Sequence, residues 1–121
     1  MKIIGVVILL TVLLVIGVVA LLSWSEEHSN KFLTYQEAQE SGIITRGWIP
    51  SFIPPSSYNI KEHHRVDTPV IFVEINFKPE DISYFERACD LLNKNIYKCN
   101  NTGYPVKVII SNNNHAIIKS I

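Results

Sequence analysis

The sequence has no excess of charge of either sign and few cysteines, glycines and prolines. Its 121 residues include 11 Lys and Arg against 11 Asp and Glu, so it lacks the basic excess that nucleic-acid-binding proteins use against phosphates. Two cysteines, five glycines and six prolines exclude disulfide-dense, collagen-like and low-complexity chains. The length corresponds to one domain. We therefore expect one folded domain and no nucleic-acid partner.

Motifs for catalysis and for metal binding are also missing. The chain has no phosphate-binding glycine loop, no glycine-flanked serine of the hydrolase type, and no CxxC or HxxxH spacing. We therefore assign no catalytic residue, no metal and no cofactor, and favour a protein that is not an enzyme. One alternative stays open: Glu62 and His64 share a strand face and Asp67 follows in a turn, a set that a small envelope hydrolase or metal-dependent enzyme could use.

One long apolar run dominates the amino terminus. Residues 3–22 contain no charged side chain, and a helix of that length spans about 30 Å, the thickness of a bilayer's hydrocarbon core. We predict a transmembrane helix that acts as a signal anchor and makes the lipid bilayer a partner of residues 3–22. The alternative is a cleaved signal peptide, for which Val18-Val19-Ala20 could be the processing site.

The charges on either side of this run predict its orientation. Lys2 precedes the run, whereas Glu26 and Glu27 follow it, so the positive-inside rule leaves residues 1–2 as a cytoplasmic tip. Residues 23–33 are then a polar linker, and residues 34–121 form the exported domain. This places a single-pass protein in the inner or cytoplasmic membrane, with its domain periplasmic or extracellular.

The exported part predicts an α+β domain. Thr34 and Glu37 form a capping box for a short helix over Tyr35–Ser41. Pro79 opens one long packed helix, in which Ile82, Phe85, Cys89, Leu92 and Ile96 recur at helical spacing. Four runs predict strands in two hairpins of an antiparallel sheet: Tyr58–Val66, Val70–Phe77, Pro105–Ser111 and His115–Ile121.

Residues 43–57, termed the strap, are rich in proline and apolar side chains. Pro50, Pro54 and Pro55 exclude a helix there and favour an extended path. Two interpretations remain open. The strap could bury its apolar side chains in the core, or it could present Arg46, Trp48 and Phe52 as an exposed patch that docks an envelope protein partner.

Two further features lie in the carboxyl-terminal half. Cys89 and Cys99 could be two buried thiols, but export favours a disulfide between them. Residues 91–121 contain four lysines and no acidic residue, whereas residues 23–90 contain six basic and eleven acidic side chains. The final hairpin is thus a basic end that could meet acidic headgroups or an acidic partner.

A series of motifs in and after the strap carries a resemblance. The segments are Arg46-Gly47-Trp48-Ile49-Pro50, Phe52-Ile53-Pro54, Ser56-Ser57, Ile60-x-Glu62-x-His64 and Val66-Asp67-Thr68. This series resembles one found in small uncharacterised bacterial envelope proteins, which begin with a membrane segment or a lipoprotein leader. The likeness covers about residues 43–77 and implies a bacterial, exported setting without an activity or a cofactor. The chain departs from the pattern at Pro69, and it lacks a lipid-accepting Cys after the apolar run.

These observations lead to one functional expectation and two alternatives. We expect a single-pass membrane protein whose exported domain is a binding or structural module in the bacterial envelope. The first alternative is an immunity-type or accessory protein of a membrane complex, and the second is the enzyme built on Glu62, His64 and Asp67.

Overall fold

The computed structural model describes residues 2–25 and 27–121. Met1, in the expected cytoplasmic tip, and Glu26, one of the two acidic residues after the apolar run, lie outside the described residues. The helices are α1 (Lys2–Ser25), α2 (Tyr35–Glu40) and α3 (Ser83–Ala88), and a 3₁₀ turn spans Pro79–Ile82. The strands are β1 (Glu27–Thr34), β2 (Tyr58–Arg65), β3 (Ile71–Asn76), β4 (Asp90–Asn93), β5 (Ile96–Asn101), β6 (Tyr104–Ser111) and β7 (His115–Ser120).

Helix α1 contains the apolar run. Over Lys2–Leu22 it is long and apolar enough to cross a membrane, and the side chains of this stretch are exposed. Thr11, a polar residue in the middle of the run, donates its hydroxyl hydrogen to the carbonyl of Val7 at 2.9 Å. That bond satisfies the hydroxyl within the helix, as an apolar surrounding requires. Length and composition fit a membrane anchor and a signal sequence alike.

The domain after α1 is built on one seven-stranded antiparallel sheet in the order β1-β2-β3-β7-β6-β5-β4. The α+β class is confirmed, and so are the short helix after Thr34 and the four expected strands, which form β2, β3, β6 and β7. Both expected hairpins are present, and β3 pairs with β7 to join them.

The expected linker over residues 23–33 is wrong, because helix α1 continues to Ser25 and residues Glu27–Thr34 form strand β1. This strand lies at the edge of the sheet and pairs with β2 from Glu27, opposite Arg65, to Thr34, opposite Tyr58. An edge strand is held by backbone hydrogen bonds to one neighbour and can keep polar side chains. Only Asn30 and Phe32 of β1 are half-buried, so the segment shows too little alternation to be identified as a strand.

The expected long helix is also wrong. It ends at Ala88, because Cys89 has an extended backbone (φ −132°), and the chain continues into the hairpin of β4 and β5. Asn95, with φ at +62°, lies in the turn of that hairpin, a conformation that asparagine tolerates better than most residues. On β5, Tyr97, Cys99 and Asn101 are buried in alternation, as in a strand with one covered face.

The sheet has one covered and one open face. Helices α2 and α3 and the strap lie on the covered face, where Ala38, Ile49, Ile53 and Phe85 are fully buried. The opposite face, termed the open face, carries exposed or half-buried side chains from every strand. Its members include Lys61, His63, Phe72, Lys98, Lys107 and Lys119. Any candidate site therefore belongs either to the edge of the covered layer or to the open face.

Candidate functional site

The strap buries most of its apolar side chains, as the first of the two interpretations predicts. Ile49 and Ile53 are buried in the core. Phe52 is half-buried and packs edge-on against Phe85 at a centroid distance of 6.2 Å. Trp48 is half-buried and lies near the surface, and Arg46 is exposed. The structure thus keeps Arg46 and Trp48 together at one edge and directs Phe52 towards the core.

Trp48 lies over a buried polar pair on β2. Its indole stacks on the imidazole of His64, with centroids 3.8 Å apart and planes 11° from parallel. The carboxylate of Glu62 accepts a hydrogen bond from Nδ1 of His64 through Oε1, and another from Nδ2 of Asn30 through Oε2 at 2.8 Å. The Glu62 side chain is 0% exposed and that of His64 is 8% exposed. The polar groups of this pair are therefore satisfied inside the covered layer.

A cleft of about 360 Å³ opens beside Trp48. Its walls come from three separate segments: Arg46, Gly47 and Trp48 of the strap; the β2–β3 turn around Asp67 and Thr68; and the β5–β6 turn. The residues from that last turn are Asn101, Thr102 and Tyr104. The name "cleft" is used below for this site.

Local backbone geometry explains how the strap meets the β5–β6 turn. Gly47 adopts φ +84°, which favours glycine, and a Cβ there would lie 3.4 Å from Cγ2 of Thr102. The carbonyl of Gly47 accepts a hydrogen bond from Nδ2 of Asn101 at 2.9 Å. Thr102 and Gly103 both have positive φ, as in the tight hairpin turn that matches the twist of a sheet. The cleft is thus formed by segments that are held to one another.

Charge and hydrogen bonding differ between the walls of the cleft. Arg46 donates to the carbonyl of Ser41 at 3.3 Å, and its guanidinium remains exposed. On the opposite wall, a side-chain hydrogen bond from Arg65 holds the pKa of the Asp67 carboxyl below its usual range. The hydroxyl oxygen of Thr68 is buried and has no hydrogen-bond partner among the described residues. The cleft therefore offers a cation and an anion to whatever enters it.

The three residues of the enzyme alternative do not form one site. Glu62 and His64 bond to each other beneath Trp48, whereas Asp67 is exposed and pairs with Arg65. The His64 ring is buried on the covered face of β2 and stacks on Trp48, so it does not face solvent. Within residues 2–25 and 27–121, no group of three or more His, Cys, Asp or Glu side chains is arranged to hold a metal ion.

The two cysteines lie away from the cleft. A disulfide bond joins Cys89, at the end of α3, to Cys99 on β5, with their Cα atoms 4.5 Å apart. This bond fixes the end of α3 to strand β5. Its role is therefore to hold the covered layer on the sheet.

Sequence reasoning identified only the strap wall of the cleft as a binding element. Arg46 and Trp48 were expected to bind, but Thr68, Asn101 and Tyr104 were not. The dipeptide Thr102-Gly103 is a turn signal and could have placed a hairpin tip there. The approach of this tip to the strap depends on the sheet order, which local patterns do not specify.

The comparisons with known proteins cover part of this site. A family model described as the YbbD head domain matches residues 26–74, which include the strap and the β2–β3 turn. The match is consistent with a small bacterial envelope-type family. It does not test the series of motifs between Arg46 and Thr68, which stays a resemblance. The β5–β6 wall of the cleft lies outside the matched residues. No curated protein and no solved structure matches the chain.

Proposed function

We propose that this protein is a single-pass membrane protein whose carboxyl-terminal domain is exported and binds a protein partner of the bacterial envelope in the cleft. The observation that carries the proposal is the convergence of Arg46, Trp48 and Tyr104 around one opening. Arginine, tryptophan and tyrosine are the residue types most enriched among interface residues that dominate binding energy. The YbbD head domain match supports the envelope setting.

Helix α1 supports the anchor in this proposal. Its apolar stretch, Lys2–Leu22, has the length of a bilayer core, and it is exposed along its whole length, unlike a core helix. Lys2 at its amino end favours a cytoplasmic amino terminus. The domain would then lie in the periplasm or outside the cell, where the disulfide between Cys89 and Cys99 is stable.

The burial of the polar pair supports binding rather than catalysis. Glu62 and His64 are the acid–base candidates of the sequence, and both are covered by Trp48 and Asn30. A general acid or base must lie within hydrogen-bond reach of its substrate. The pair instead has a structural role, because His64, held by Glu62, stacks on Trp48 and fixes that side chain at the edge of the cleft.

The size and lining of the cleft support a protein partner. A volume of about 360 Å³ lies near the lower end of the range for small-molecule pockets, roughly 300–1,000 Å³, and suits a few side chains of a partner segment. Arg46 can bind a carboxylate in two parallel hydrogen bonds, and Asp67 can accept from a cation.

Site-specific photocrosslinking in intact cells tests this proposal. A photoreactive amino acid replaces Tyr104, which lines the cleft and is 52% exposed, or Tyr58, which lies outside it and is 42% exposed. We expect a discrete protein adduct from position 104 that is absent from position 58. Adding Arg46→Ala should reduce the adduct severalfold, whereas Arg87→Ala, which removes an exposed arginine from α3, should not. Equal adducts from positions 104 and 58, or an adduct insensitive to Arg46→Ala, would contradict the proposal.

A further inference from the structure

Three lysines form a row across the open face of the sheet. In the strand register, Lys98 on β5 lies directly opposite Lys107 on β6, and Lys107 lies directly opposite Lys119 on β7. Neighbouring strands are about 4.8 Å apart, so the three side chains leave the sheet within about 10 Å of one another. They are termed the lysine row.

This row has little internal compensation. Like charges placed directly opposite each other destabilise a sheet. Asp90 faces Lys98 at one end of the row, but residues 91–121 contain no acidic side chain. Among the described residues, no carboxylate forms a salt bridge with a member of the row. Binding of an external anion would relieve the repulsion between these three lysines.

Exposed apolar side chains lie beside the row on the same face. Phe72 lies directly opposite Lys119, and its side chain is 40% exposed. Val70 and Ile121, each two residues further along, point to the same side because side chains alternate along a strand. They are 54% and 67% exposed. The open face thus combines positive charge with apolar groups, the composition of surfaces that bind at a bilayer interface.

The row also lies near the end of the sheet at which the chain arrives from α1, although its strands are about 14–24 Å from β1 across the sheet. Glu27, the first residue of β1, is opposite Arg65, and two residues further along β1, Ser29 is opposite His63. His63 is opposite Phe72, so the lysine row lies only two residues, about 7 Å, from this end of the sheet. Four residues lie between Leu22, the last of the apolar run, and Glu27, and the five residue steps allow at most about 18 Å. This end of the sheet is therefore close to the headgroups whenever α1 spans a bilayer.

We infer that the open face docks on the bilayer that holds α1. The lysine row would lie against the phosphates of anionic phospholipids, and Val70, Phe72 and Ile121 would enter the interfacial layer. This inference rests on the anchoring of α1 in the proposed function. The cleft remains accessible, because the strap belongs to the covered face on the other side of the sheet. Docking would hold the domain in one orientation, with the cleft near the membrane-proximal end of the sheet and its strap wall on the face that points away from the bilayer.

Lysine acylation followed by mass spectrometry tests the inference on the full chain. The protein is placed in nanodiscs of phosphatidylcholine alone or of phosphatidylcholine mixed with phosphatidylglycerol, at one copy per disc. Lys78 and Lys94 are internal controls, because they lie near the opposite end of the sheet, beside the β6–β7 turn and in the β4–β5 turn. Lys94 precedes Lys98 by four residues, about 13 Å, and Lys78 follows Phe72, which is level with the row, by six residues, about 20 Å. Both distances exceed the Debye length of about 8 Å at physiological salt.

The expected result is a difference in acylation between the lysine row and the control lysines of the same molecule. Each lysine near an anionic surface contributes about fivefold to binding, so acylation of the lysine row should slow severalfold in the anionic discs. Lys78 and Lys94 should react at equal rates in both discs, and high salt should remove the difference. Equal acylation of the row in both lipids would overturn the inference. Protection that appears only with two copies per disc would assign the face to self-association and overturn it as well.

A pair of matched variants tests whether the row acts as a unit. In Lys107→Gln/Lys119→Gln, the remaining Lys98 should regain most of its reactivity in the anionic discs. In the control Lys78→Gln/Lys94→Gln, Lys98 should stay protected. Persistent protection of Lys98 in the first variant would contradict docking through the row. Failure of the chain to enter the discs would instead refute the anchor, and with it both proposals, whereas insertion without protection refutes docking alone.

Discussion

The indole ring of Trp48 stacks on the imidazole ring of His64, with centroids 3.8 Å apart. This contact links the strap to strand β2 and places a flat aromatic side chain over a buried hydrogen-bonded carboxylate. It makes Trp48 both a part of the packed layer and one wall of the cleft. The stability of the domain and the shape of its binding edge therefore depend on the same residue.

Replacing Trp48 tests its place in the packed layer. We expect Trp48→Ala to lower the free energy of unfolding by about 2–3 kcal/mol, less than the roughly 3–5 kcal/mol for a fully buried aromatic, because Trp48 is half-buried. Trp48→Phe, which keeps a ring over His64, should cost less. Chemical unfolding of the full chain in detergent measures both, with Tyr58→Ala as an exposed control. Unchanged stability of Trp48→Ala together with a lost crosslink at position 104 would show that Trp48 serves docking alone.

The buried pair on β2 should behave as a coupled unit. His64→Phe keeps a ring against Trp48 but removes the donor to Glu62, and we expect a loss of about 1–3 kcal/mol in the free energy of unfolding. Adding Glu62→Leu should recover part of that loss, because replacing both partners by apolar groups can be nearly neutral. A double-mutant cycle measures the coupling. Losses that add within about 0.5 kcal/mol would contradict a direct interaction.

The disulfide should contribute measurably to stability. It closes a loop with a sequence separation of 10, for which loop-closure entropy gives about 2–3 kcal/mol. We expect Cys89→Ala/Cys99→Ala to lose about this amount of unfolding free energy. Reductant should lower the stability of the wild-type chain to a similar level and leave the variant unchanged. A wild-type chain that is insensitive to reductant would argue against the disulfide.

The carboxyl of Asp67 should titrate abnormally because of Arg65. Its pKa is lowered mainly by the hydrogen bond from Arg65, so Arg65→Gln should raise it towards the ordinary value of about 3.9. Because the pKa of Asp67 is lower in the folded than in the unfolded state, its ionised carboxylate stabilises the fold at pH values above the unfolded pKa. This contribution is lost as the pH falls through the pKa of the folded state. Both groups are exposed, so the effect on stability is small. NMR titration of Asp67 measures the shift, with Arg87→Gln as the control, and an unchanged pKa in Arg65→Gln would contradict the assignment.

Four strands with one covered face, β2, β3, β6 and β7, were accessible from sequence alone. On β3, Ile71, Val73 and Ile75 are buried, and the residues between them are exposed or half-buried. Such alternation is a local property of the chain, so it predicts a strand without knowledge of its neighbours. The capping signal at Thr34 is equally local, and its first hydrogen bond is present, from the amide of Glu37 to the Thr34 hydroxyl at 3.2 Å. The Glu37 carboxylate accepts from the amide of Leu33 at 3.0 Å, one residue before the N-cap.

The edge strands β1 and β4 and the end of α3 could not be predicted from local sequence patterns. Every residue of β4 is exposed, so no buried periodicity marks it. Its pairing with β5 depends on the turn at Asn95 and on the disulfide that holds Cys99 beside α3. Apolar residues at helical spacing between Ile82 and Ile96 matched a helix equally well. The cleft could not be predicted for a similar reason. Its three walls come from segments distant in sequence, which the strand order of the sheet brings together.

Protease accessibility of a tag placed after Ile121 tests the central claim of an anchored and exported domain most directly. In spheroplasts with an intact inner membrane, added protease should remove the tag and leave a cytoplasmic marker untouched, and the tagged chain should fractionate with membranes before digestion. A tag that is digested only after the membrane is lysed would place the domain in the cytoplasm and contradict the account.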